Sequence, residues 1–136
     1  MKKIKVLVVE DSHLFANEIE KLLKKAGYKS FILKEFTQKN YRAGLEFKPD
    51  VALLDHDLVA GLTGKMVAED LKMPAKCLVS ISTGLFDVSY CGQRFMLKDR
   101  LCGPGITAKK AERYAELLMK TITEATQKQQ FVCSVK

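Results

Sequence analysis

At 136 residues the chain is the size of one ordinary domain, long enough to bury a hydrophobic core without disulfide staples. Hydrophobic residues at 47% and charged residues at 29% exclude a disordered chain, and apolar runs no longer than those at 6–9 and 51–54 exclude a membrane-spanning one. A net charge of +7 raises the question of nucleic acid, but the lysines are scattered and no basic run is interleaved with aromatics, which argues against it. The opening Met-Lys-Lys is basic like a secretory signal, yet the apolar run behind it meets Glu10 and Asp11 in place of a cleavage site. The chain reads as cytoplasmic. Cys77, Cys91, Cys102 and Cys133 lack CxxC spacing and read as free thiols, while His13 and His56 are too isolated for a metal cluster.

Taken in order, residues 4–9 form a β-branched apolar run, the mark of a strand covered on both faces. Ser12 is placed to cap a helix whose apolar positions are Phe15, Ile19, Leu22, Leu23 and Ala26, and Gly27 supplies its left-handed stop. Residues 30–33 read as a second strand. Thr37 or Asn40 starts a weak helix that ends before Lys48 and Pro49, because the residue before proline resists the helical region. Residues 51–54 are a third strand, followed by a loop ending near Gly61 and a helix over 63–72. Residues 77–82 and 94–97 read as strands four and five. Thr107 then caps a final helix with Ala111, Tyr114, Leu118, Ile122 and Ala125 on one face. Residues 1–126 make one domain and 127–136 a C-terminal tail.

Five short strands alternating with helices predict a doubly wound parallel sheet of the α/β class, with ligands bound beyond the carboxyl ends of the strands. Those ends carry Glu10 and Asp11, then Asp55, then Ser82 and Thr83, then Lys98. Clustered carboxylates repel one another unless a cation sits among them, and Mg2+ suits a site of few carboxylates, waters and phosphate oxygens. One carboxylate can act there as nucleophile toward a phosphoryl donor, with the hydroxyl and the ammonium neutralising the transferred group.

The runs VLVVEDS, VALLDHDL, SISTG and FMLKD, in this order and over essentially the whole chain, resemble the signature of response-regulator receiver domains. The resemblance implies a flavodoxin-like five-stranded fold and phosphorylation of Asp55 with Mg2+. Glu10 and Asp11 match the acidic pair, Asp11 being the direct metal ligand, and the Asp57 position completes the metal site through its backbone carbonyl. Thr83 matches the family's hydroxyl residue, with Ser82 as the alternative if the register shifts by one. Lys98 matches its lysine and Phe95 the aromatic that rotates between states. Implied partners are a sensor histidine kinase or a histidine phosphotransfer protein upstream and a target protein downstream. The domain would assist its own phosphorylation and dephosphorylation without being a conventional enzyme. Whether it forms a homodimer stays open.

Three positions depart from the family pattern. Val59 stands where a proline is usual, and Asp99 replaces the proline after the lysine. Residues 84–93 are few, with Gly84 and Gly92 and no helical stripe, so the fourth helix should be reduced or missing. Leu85, Phe86, Val88 and Tyr90 would then form an apolar loop available to a partner. The second reading is therefore a receiver-like module that acts without phosphorylation, and the third a nucleic-acid-binding regulator.

Overall fold

The computed structural model describes residues 3–56, 58–81, 89–94 and 107–126. Five strands, β1 (Lys5–Val9), β2 (Lys29–Leu33), β3 (Val51–Leu54), β4 (Leu78–Ser80) and β5 (Gln93–Arg94), form one parallel sheet in the order β2-β1-β3-β4-β5. Between them run α1 (His13–Lys25), α2 (Gln38–Glu46) and α3 (Gly64–Leu71), and the last helix, α4 (Ala108–Thr126), follows β5.

The strands alternate their side chains between two cores. Val6 and Val8 of β1, Val51 and Leu53 of β3, and Val79 of β4 pack with Ile19 and Leu23 of α1 and with Leu118, Ile122 and Ala125 of α4. Leu7, Val9, Ala52, Leu54 and Leu78 point the other way, against Val67 and Ala68 of α3. A strand buried on both faces must be apolar at every position, which is why these runs show no polar alternation. Gly44 of α2 approaches the same second face, where a β-carbon would lie 3.5 Å from Leu33.

The expected elements are present, with local differences that have physical causes. Ser12 stands at the N-cap of α1, but its side chain makes no capping bond. Its backbone N–H donates instead to Glu10 Oε2 at 3.0 Å. On α1, Ala16 is buried in place of Ala26, which lies past the last turn and is exposed. Gly27 ends the helix at φ +87°, its N–H on the Lys24 carbonyl and that of Tyr28 on the Leu23 carbonyl, the paired bonds of a Schellman turn. Of the two candidate starts for α2, Thr37 is the cap, its hydroxyl accepting from the Asn40 N–H at 3.1 Å. Cys77 closes a 3-10 turn (Ala75–Cys77) instead of opening β4. Thr107 caps α4 through the Lys110 N–H at 3.1 Å. The described part of the crossover from β4 to β5 carries a turn at Ser89 and Tyr90 and no helix, in keeping with a reduced fourth helix.

At the amino edge of the sheet, the Lys5 N–H donates to Asp50 Oδ2 at 2.8 Å and the Asp50 N–H returns a 2.8 Å bond to the Lys5 carbonyl. The Lys5 ammonium also lies 5.2 Å from the centre of the Phe47 ring. This clasp fixes β3 beside β1 one residue before their shared ladder begins at Val6 and Val51.

Lys72 ends α3 at φ 55° and ψ 38°, a left-handed conformation that costs a side-chain-bearing residue steric energy and glycine almost none. Lys72→Gly is expected to raise the unfolding free energy by about 1 kcal/mol. A higher urea midpoint at unchanged slope would show it, and an unchanged midpoint would contradict it.

Candidate functional site

Strand register builds the site. Val9 pairs with Leu54, so the next residues along, Glu10 and Asp55, also lie side by side. The ladder extends one step past the strands to hold them: the Glu10 N–H donates to the Leu33 carbonyl at 3.1 Å, and the Asp55 N–H to the Val9 carbonyl at 2.9 Å. Because side chains alternate, these two acids leave the face occupied by Val9 and Leu54.

Carboxylate oxygens of Glu10, Asp11 and Asp55 all lie within 4.8 Å of one another. Glu10 is 0% exposed and Asp55 2% exposed, while Asp11 is half-buried at the rim. Carboxylates packed this closely and withdrawn from water favour a cation among them. The donor set, oxygen only and open to solvent on the Asp11 side, fits a hard ion such as Mg2+. Glu10 is held in place by the Ser12 N–H, so the residue expected to cap a helix with its side chain orients a carboxylate with its main chain.

The loop after Asp55 folds back on itself. The Leu58 N–H donates to the Leu62 carbonyl at 3.1 Å, the Leu62 N–H to the Val59 carbonyl at 3.0 Å, and the Gly64 N–H to the His56 carbonyl at 2.9 Å. A β-carbon on Gly64 would lie 2.5 Å from the Asp55 carbonyl oxygen and 2.7 Å from the Tyr90 hydroxyl. No side chain fits there. Gly64 is a site residue the sequence did not expose, since it fell near the start of the expected helix over 63–72 with nothing to mark a close approach.

Tyr90 is the second. Expected on an exposed apolar loop, it is half-buried and packs with its neighbour Cys91 against the core that contains Leu58, Val67 and Leu54. Burial pushes the Cys91 thiol up to about 11, against the opposing pull of a hydrogen bond from the Tyr90 side chain. Asp57, Ser82, Thr83, Phe95, Lys98 and Asp99 lie outside the described residues, as do Leu85, Phe86 and Val88. The structure thus brings Glu10, Asp11 and Asp55 together and leaves the roles expected of the others as proposals.

A five-stranded parallel sheet of order β2-β1-β3-β4-β5, with acids at its carboxyl edge, is the receiver fold, and solved receiver domains superpose on it. The signal receiver domain of a modulated diguanylate cyclase from Desulfovibrio desulfuricans, described as an example of alternate folding, matches with a TM-score of 0.64 and 22% identity over 96% of this chain and 98% of that one. A CheY-like response regulator receiver domain from Methanospirillum hungatei gives 0.64 and 14% identity over 93% and 99%. The response regulator domain of Thermotoga maritima CheB gives 0.62 and 18% over 91% and 97%. No protein-family model matches the chain, and no curated protein does. Among the described residues no helix is long and apolar enough to cross a membrane.

Two outcomes follow from this geometry. Gly64→Ala should lower stability by about 1–3 kcal/mol by driving a methyl group into the Asp55 carbonyl, measured by urea unfolding; a neutral effect would contradict the close approach. Asp55→Asn removes one of three mutually repelling charges. It should therefore melt above the native chain in chelator yet gain less than the native chain when Mg2+ is added. Calorimetry of both proteins checks this, and an equal response to Mg2+ would sink the assignment of the ion to this cluster.

Proposed function

We propose that the chain is a phosphoacceptor receiver domain of a two-component or phosphorelay pathway, phosphorylated on Asp55 and acting by protein–protein contact in the cytoplasm. The observation that carries this reading is the meeting of Glu10, Asp11 and Asp55 at the carboxyl edge of a receiver fold. Asp11, Asp55 and the Asp57 carbonyl would hold Mg2+, with Glu10 behind them, and the ion would supply positive charge to the phosphoryl oxygens.

In the forward step an Asp55 carboxylate oxygen attacks the phosphorus of the donor. The bond from phosphorus to the donor's imidazole nitrogen breaks, and its electron pair leaves with the imidazole. Thr83 would donate a hydrogen bond, and Lys98 a charge-assisted one, to oxygens of the transferred group. In the later dephosphorylation water attacks the phosphorus, the bond from phosphorus to the Asp55 oxygen breaks, the Asp55 carboxylate is regenerated and inorganic phosphate departs with the protons of the water. The domain thereby assists its own modification and turns over no separate substrate. A sensor histidine kinase or histidine phosphotransfer protein supplies the group upstream. Downstream, Phe95 would rotate as Thr83 closes on the phosphoryl group, shifting the domain between two states that a target protein distinguishes.

Intact-mass measurement after incubation with acetyl phosphate and Mg2+ tests the reading. The native chain should gain one phosphoryl group, removable by hydroxylamine, and Asp55→Asn should gain none. Failure of the native chain to be modified, with the fold intact, would favour a receiver-like module that works through constitutive contacts.

A further inference from the structure

The contact between Tyr90 and Gly64 reaches the acidic site from a direction the reaction above does not use. Tyr90 precedes β5, and its hydroxyl lies against the bare α-carbon of Gly64: a β-carbon there would stand 2.7 Å from the hydroxyl and 2.5 Å from the carbonyl oxygen of Asp55. Both oxygens therefore border the same small space, which glycine leaves open at the back of the residue whose carboxylate faces the cluster. Neither end of this arrangement is loose. Gly64 is bonded to the His56 carbonyl at 2.9 Å. Two residues beyond Tyr90, the Gly92 N–H is shared between the carbonyls of Ala75 at 2.5 Å and Leu78 at 3.1 Å. A β-carbon on Gly92 would run into the Lys76 α-carbon, so the backbone there is pressed onto the turn before β4.

An aromatic ring needed only to fill the core would serve equally well as phenylalanine. The Tyr90 hydroxyl gives a hydrogen bond to Cys91, and the same oxygen borders the space at Gly64 that the Asp55 carbonyl also bounds. We propose that Tyr90 is a positioning residue for Asp55: its hydroxyl, seated on Gly64 beside the Asp55 carbonyl, holds the loop in the conformation that presents the carboxylate to ion and phosphoryl group. This rests on the phosphoacceptor reading of the site. Tyr90 touches neither the ion nor the reacting atoms, and its effect passes through the backbone of residues 55–64.

The test uses the full chain with Mg2+ and beryllofluoride, a phosphoryl mimic, titrated calorimetrically into the native protein, Tyr90→Phe and Asp55→Asn. Alongside, the ring resonance of Tyr90 is followed by NMR of ring-labelled tyrosine, assigned by its loss in Tyr90→Phe. The native chain should take up the mimic and Asp55→Asn should not. Tyr90→Phe should bind about fivefold more weakly, the loss of one net hydrogen-bond-sized interaction, while still unfolding in a single urea transition of native slope. The Tyr90 resonance should move when the mimic binds. If the native chain takes up no mimic, the phosphoacceptor reading itself fails and takes the proposal with it. If the native chain binds but Tyr90→Phe binds equally well, or the Tyr90 resonance stays in place, only the role of Tyr90 is overturned.

Discussion

The pairing of β1 with β3 governs the rest of the molecule. Their register is set at the amino edge, where Lys5 and Asp50 exchange two hydrogen bonds, and it is expressed at the opposite edge, where Glu10 and Asp55 emerge side by side. A shift of one residue would turn every side chain of one strand to the other face, scattering both cores and separating the two acids. The apolar cores and the charged cluster are thus consequences of one alignment. The hydrophobic face that holds α1 and α4 is what makes it costly to lose.

Holding acidic groups together in a place largely closed to water works against folding, and the structure offsets this with local restraints. Backbone N–H groups extend the sheet ladder beyond the strands at Glu10 and Asp55, and the Ser12 N–H steadies Glu10. Gly64 lets α3 start in direct contact with the main chain of Asp55. A folded domain that tolerates this arrangement retains a strong preference for positive charge at one point on its surface, and such a preference is the physical basis for metal-assisted phosphoryl chemistry.

Much of this was legible in the amino-acid sequence. Uninterrupted apolar runs located β1 and β3, because strands covered on both faces leave no choice of residue. Acids at the ends of those runs located the cluster, since a parallel sheet sends equivalent strand ends to one edge. Less legible were features that depend on approach distances. Gly64 fell inside the expected helix over 63–72, and nothing local distinguished it from Gly61, where a β-carbon would meet open space. Tyr90 was read as exposed because its stretch lacked periodicity, whereas a single large side chain can be buried by a turn with no periodic pattern at all. Ser12 illustrates a third kind of error. Its placement before a helix was read correctly, but a carboxylate two residues earlier took its N–H while its hydroxyl made no capping bond.

The packing of Cys91 beside Tyr90 has a chemical consequence of its own. A thiol whose ionisation is pushed up to about 11 by burial exists almost wholly in its protonated form at neutral pH, only about one molecule in ten thousand being thiolate. Oxidants and alkylating agents act on the thiolate, so this sulfur, although close to the loop after Asp55, is chemically quiet. Burial likewise raises the ionisation of Cys77, whose Sγ lies 3.8 Å from the Ala125 carbonyl. The same direction of shift thus acts on both sulfurs, and for Cys91 it leaves little thiolate for an oxidant to attack.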